Sequence, residues 1–182
     1  PECKVDENLP EWIRKIQIPV NSMKGDNIPV SSFTDLPDGT MPNGTSKYEK
    51  RGIAVNVPVW NSQKCIQCNQ CSYVCPHATI RPFLVTAEEK ANAPEGFETV
   101  KAKGKGMDTY EYRIQTSVLD CTGCGSCANV CPAPEKAITM LPLDQHRDEE
   151  KNWEYAVSLS DKKNPMGVKT VKGSQFNQPL LE

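Results

Sequence analysis

The sequence holds no apolar run long enough to cross a bilayer, which takes about 20 residues, and no basic-plus-apolar leader opens it. It has no excess of charge of either sign. With 21 Lys and Arg against 23 Asp and Glu the net charge is −2, which argues against nucleic acid as a partner. Histidine is scarce: only His77 and His146 occur, so Ser-His-Asp chemistry has little to draw on, and His77 reads as a surface or packing residue. No G-x-G-x-x-G fingerprint is present, which removes the usual dinucleotide site. Apolar residues make up 37% and prolines number 15. The core is therefore small, and bound metal is expected to carry part of the stability. The 182 residues leave room for one domain of about 100 residues and substantial extensions.

Cysteine is what the chain has in quantity. Eight of its nine cysteines lie in two runs, CIQCNQCSYVCP from Cys65 to Pro76 and CTGCGSCANVCP from Cys121 to Pro132. Both follow C-x2-C-x2-C-x3-C-P, the spacing in which each run gives three thiolates to one [4Fe–4S] cube and a fourth to the other. Cluster one is expected on Cys65, Cys68, Cys71 and Cys131. Cluster two is expected on Cys121, Cys124, Cys127 and Cys75. Neither run contains a charged residue between its first and last cysteine, as suits a site already anionic. Gly123 and Gly125 permit positive φ close to the cluster. Ile66, Val74, Val130, Ile80 and Ile138 are placed to form an apolar shell. Disulfides fit the tight spacing poorly. Zinc uses C-x2-C pairs but does not call for a third cysteine and a Cys-Pro, twice. Cys3 reads as a spare thiol. Thiolates that must stay reduced and metallated point to the cytoplasm.

The expected fold class is α+β: a bacterial-type two-[4Fe–4S] ferredoxin-like domain with a pseudo-twofold repeat, flanked by extended, mostly irregular arms. Residues 1–51 form the first arm, with one short helix near Leu9, Trp12, Ile13 and Ile16 that Pro19 closes. The domain spans 52–143. Gly52–Trp60 reads as an edge strand, with Ile53, Val55, Val57 and Val59 alternating, and Ala78–Thr86 as a return strand interrupted by Pro82. Tyr112–Leu119 and Ala137–Leu143 mirror them around short helices at Ser72–Cys75 and Ala128–Cys131. Residues 87–111 are an insertion, whose Lys101, Lys103 and Lys105 could steer an acidic electron carrier. Residues 144–182 are an extension: a charged stretch, a strand at Trp153–Leu159, and a polar tail without a helix signal. The opening Pro1 suggests an excerpt of a longer chain.

The segment YEKRGIAVNVPVW (Tyr48–Trp60), followed at once by the first cysteine run, resembles pyruvate:ferredoxin (flavodoxin) oxidoreductase, as do PVSSFTDLPDGTMPNGTS (Pro29–Ser46) and VKGSQFNQPLLE (Val171–Glu182). The resemblance covers the family's small linking segment, with its Glu49-Lys50-Arg51 triplet, and its ferredoxin-like domain. It implies a parent enzyme that cleaves pyruvate with coenzyme A to acetyl-CoA and CO2. Thiamine diphosphate, Mg and a third [4Fe–4S] cluster would lie outside this chain, in a domain beginning beyond Glu182. Ferredoxin or flavodoxin would accept the electrons, and the parent would be a homodimer. No catalytic residue is expected here, and the triplet reads as a local ion pair or inter-domain contact, with Arg51 the first of the three to mutate. The competing reading is a stand-alone two-cluster electron carrier.

Overall fold

A computed structural model describes residues 7–177, and Cys3 lies outside them. The chain divides into two units, with the boundary between Lys50 and Arg51.

In the first unit a π-helical turn, Ile13–Gln17, runs directly into α1, Ile18–Asn21. Pro19 does not end the helix as expected; it occupies the first turn of α1. A proline lacks the N–H that an α-helix interior uses, and the wider i→i+5 turn carries the chain past it: Ile18 N–H donates to the Ile13 carbonyl. Ile13 and Ile16 are buried. The Gln17 amide donates to the Thr45 carbonyl and to the Glu49 carboxylate. Three 3₁₀ turns, Gly25–Asn27, Val30–Phe33 and Thr45–Tyr48, make up the ordered part of the remainder.

The second unit is built on two antiparallel sheets. β1 (Asn56–Trp60) pairs with β5 (Ile138–Pro142), Val57 opposite Leu141 and Trp60 opposite Ile138. β2 (Ile80–Val85) pairs with β4 (Glu111–Thr116), Ile80 opposite Thr116, and β3 (Val100–Lys101) adds to the far edge of β4. The first strand thus pairs with the last, and the two middle strands pair with each other. Each cysteine run lies between a strand of one sheet and a strand of the other, leading through a short helix, α2 (Gln70–Tyr73) or α4 (Ser126–Val130). Both helices start two residues before the positions expected from the sequence.

Several expectations change here. β1 is shorter than Gly52–Trp60: Ile53 and Val55 are exposed, while Ala54 is buried. Pro82 does not interrupt β2. The strand is an edge, where nitrogens of alternate residues face no neighbouring strand, so a proline fits. Residues 87–111 are an integral layer of the unit. α3 (Ala87–Ala91) opens with a capping box between Thr86 and Glu89, and Phe97, Ala102 and Met107 are buried.

Trp153–Leu159 is not a strand. α5 (Glu149–Ser158) begins inside the charged stretch, with Glu149 and Glu150 favourably placed at the helix N-terminus. It buries Trp153 and Ala156, one turn apart, and Trp153 meets Phe83 edge-on at 6.1 Å. The polar tail also carries a short helix, α6 (Val171–Ser174), started by the Thr170 hydroxyl accepting from Gly173 N–H. Phe176, just beyond it, packs into the main core against Tyr112 at 6.2 Å. Residues 144–177 therefore belong to the second unit and do not extend away from it. Because α5 covers one face of β2 and the main core covers the other, all six β2 residues are buried. No helix among the described residues is long and apolar enough to cross a membrane.

Candidate metal centre

Two gatherings of thiols stand out. Cys65, Cys68, Cys71 and Cys131 line one small apolar cavity, of about 20 Å³, together with Tyr112, Ile138 and neighbouring side chains. Burial, followed by the charges of Cys65, Cys127 and Cys68, pushes the Cys71 thiol far above its ordinary value. In the second gathering, burial pushes Cys127 up to about 11; the Ala128 N–H opposes this, and the charges of Cys121, Cys75 and Cys124 add to the rise. Burial likewise raises Cys121, with Cys75 and Cys124 contributing. Cys124 is exposed, and the Ser126 hydroxyl beside it lowers its value. In each gathering, three cysteines of one run have the fourth cysteine of the other run as a neighbour.

Sulfur-only donors, gathered in two groups of four, fit a cationic iron core. No three Cys, His, Asp or Glu side chains among the described residues are arranged to hold a single metal ion. A cube spreads its four thiolates over four separate irons and needs a wider cradle. The backbone also serves the sulfurs. Gln67 N–H donates to Cys65 Sγ at 3.4 Å, Gly123 N–H to Cys121 Sγ at 3.4 Å, and Ala137 N–H to Cys131 Sγ at 3.3 Å. Such bonds stabilise electron-rich sulfur and help set cluster potentials.

The donors of the first two bonds, Gln67 and Gly123, stand in left-handed backbone. In the second run Gly123 (φ 73°) and Gly125 (φ 76°) supply it. A Cβ at Gly123 would lie 2.9 Å from the Asn56 carbonyl oxygen, so no larger residue fits. The first run takes the same shape at Gln67 (φ 59°) and Asn69 (φ 62°) without glycine. Their side chains are buried and hydrogen-bonded at both ends of the amide. The Gln67 amide donates to the Lys101 carbonyl and accepts from Lys103 N–H. Asn69 donates to the Lys172 carbonyl at 2.8 Å and accepts from the buried Tyr112 hydroxyl at 2.7 Å. Burial, then the charges of Cys65, Cys71 and Cys68, keep that phenol well above its ordinary pKa.

Sequence reasoning passed over Gln67, Asn69, Tyr112 and Lys172. The one available signal was position: Gln67 and Asn69 stand in the first run where Gly123 and Gly125 stand in the second. Of the expected apolar shell, Ile80 and Ile138 are buried, Val74 and Val130 are half-buried, and Ile66 lines the cavity with half its surface exposed. His77 is exposed.

A family model described as a 4Fe-4S dicluster domain matches residues 61–134, and one described as a domain of unknown function, EKR, matches residues 1–54. The chain is a relative of the pyruvate:ferredoxin (flavodoxin) oxidoreductases. It is 57% identical to the pyruvate:ferredoxin oxidoreductase of Moorella thermoacetica over 95% of its length. It is 54% identical to the pyruvate-flavodoxin oxidoreductase of Enterobacter agglomerans over 97%, and 48% identical to that of Klebsiella pneumoniae over 100%. In each case it spans 15% of the relative's own length. Within it, the dicluster domain carries two [4Fe–4S] clusters.

Proposed function

We propose that this segment is the electron relay of a pyruvate:ferredoxin (flavodoxin) oxidoreductase, an enzyme that oxidatively decarboxylates pyruvate with coenzyme A. The pairing of two thiol gatherings, each completed from the opposite run, carries the reading. Cys65, Cys68, Cys71 and Cys131 hold one cluster, and Cys121, Cys124, Cys127 and Cys75 hold the other. The clusters supply one-electron chemistry. The chain's own residues hold the sulfurs, direct N–H groups at them and keep water off.

The two halves form a pseudo-twofold repeat. Supporting this, Asn61 N–H, just past β1, donates to the Ala137 carbonyl at 2.8 Å, and Ser117 N–H, just past β4, donates to the Thr79 carbonyl at 2.7 Å. Ala78 and Lys136, each two residues before the next strand, share a positive φ of 50° and 49°. Residues 1–51 act as a linking arm, and the domain of the parent enzyme that binds thiamine diphosphate and Mg lies outside residues 1–182. The parent works as a cytoplasmic homodimer.

Electrons leave to ferredoxin or flavodoxin. Lys101 and Lys103 adjoin the first cysteine loop through the Gln67 bonds, and together with Lys105 they steer an acidic carrier to it. Full-length enzyme, prepared anaerobically and given pyruvate and coenzyme A, reduces ferredoxin. Turnover with another 2-oxoacid but none with pyruvate overturns the substrate, and colourless protein without iron overturns the whole reading.

A further inference from the structure

Arg81 is the arginine among the described residues whose buried nitrogen, Nη1, has no hydrogen-bond partner. It lies in β2 and is 8% exposed. Its Nε donates to the Ala78 carbonyl at 2.5 Å. Ala78 holds a left-handed conformation, φ 50°, and its own N–H donates to the Cys75 carbonyl at 3.3 Å. The guanidinium lies over the Trp153 ring, 5.1 Å from its centre. Arg81 is thus fixed by its strand, by an aromatic ring and by the strained turn that delivers Cys75.

Burial works against the guanidinium's charge, and the anionic groups that favour it are Cys75 and Asp120. Asp120 also accepts from the Ser117 hydroxyl at 2.5 Å. A buried cation with a spare donor is costly unless an anion stands near it. The group of Cys75, Cys121, Cys124 and Cys127, carrying a cluster that gains negative charge on reduction, is such an anion. The other gathering has its own cation: burial lowers the pKa of Lys172, and the nearby Cys65 and Cys68 oppose that lowering.

We propose that Arg81 is a positioning and electrostatic residue for the cluster held by the second run together with Cys75. It pins the Cys75 turn, and its charge stabilises that cluster's reduced form without reaching the other cluster equally. This rests on the crossed ligand sets proposed above, and the two can fail separately.

The test uses the full-length enzyme, prepared anaerobically, with Arg81→Met and Arg81→Lys. Each cluster is followed by EPR-monitored redox titration and by iron content, and Cys75→Ser shows which signal belongs to which cluster. In Arg81→Met the second-run cluster becomes about tenfold harder to reduce at a given potential, a fall of about 59 mV for a one-electron couple. The first-run cluster stays near its wild-type potential, and Arg81→Lys recovers most of the shift. Iron lost from the second-run cluster alone in Arg81→Met supports the pinning role. Unchanged potentials with full iron, equal shifts in both clusters, or iron lost equally from both would overturn the proposal. If Cys75→Ser instead empties the first-run cluster, the crossed ligand sets fail, whatever Arg81 does.

Discussion

Gln67 and Asn69 show how a site can replace glycine at a cost. A non-glycine residue in the left-handed region is strained by about 1–2 kcal/mol, and Gln is less suited to it than Asn. Both residues recover that strain through buried hydrogen bonds to segments distant in sequence, at Lys101, Lys103, Tyr112 and Lys172. Removing the Tyr112 hydroxyl leaves Asn69 Oδ1 short of a donor. Tyr112→Phe is therefore expected to cost about 1–2 kcal/mol, read as a lower thermal midpoint of the anaerobic protein and faster loss of iron to a chelator. At the sulfurs, Cys75→Ser is expected to halve the iron in the two-cluster domain, from about eight atoms to about four. The surviving EPR signal should be that of the first-run cluster; survival of the second-run signal would reject the crossed ligand sets.

At the level of elements, α5 does what the alternating pattern of its sequence obscures. Trp153 covers Phe83 and Arg81 on the outer face of β2, so Trp153→Ala opens a cavity beside both. A loss of about 3–5 kcal/mol is expected, measured by chemical denaturation under anaerobic conditions. α3 is held more locally. Burial alone would raise the Glu89 carboxyl, but the Lys162 ammonium at 2.6 Å and the Thr86 N–H outweigh it, and the group sits below the ordinary carboxylate value. A carboxylate with a lowered folded pKa stabilises the fold above its unfolded pKa, about 4.3, and loses that contribution as pH falls through the folded value. The gap in thermal midpoint between wild type and Glu89→Gln should therefore narrow as pH drops below about 4.3. A gap that stays constant would show the Lys162 pair to be irrelevant.

Across the whole second unit, metal and fold depend on each other. Cys71 and Cys127 sit in the main core beside Ile80, Tyr112 and Ile138, so the sulfurs proposed to hold iron also pack the fold. Stripping the iron with a chelator leaves crowded, buried thiols with nothing to bind them. Near-UV circular dichroism from Trp60 and Tyr112, which meet edge-on at 6.1 Å, should collapse, and adding iron and sulfide should restore it. The lysines near the first run make a different prediction. Replacing Lys101, Lys103 and Lys105 with Gln should slow reduction of an acidic carrier several-fold at low salt and little at high salt, because screening already removes steering there. Equal slowing at both salts would point to a contact role.

The cysteine spacing, twice repeated, was enough to specify sulfur-ligated iron, because few other sites need three thiolates at that interval and a fourth before a proline. The presence of strands on either side of each run was also legible, since strands announce themselves by local alternation. Three things were settled only by the packed structure. α5 was hidden because seven residues of alternation fit either period, and the deciding surface is β2, some 70 residues away in the chain. Pro19 and Pro82 were misread because a wide turn and a sheet edge, which local sequence does not display, remove the bond each proline lacks. The polar tail gave no sign that Phe176 would reach Tyr112 or that Lys172 would stand beside the first cysteine loop. Such contacts depend on what the rest of the chain leaves uncovered, and that is a property of the assembled core.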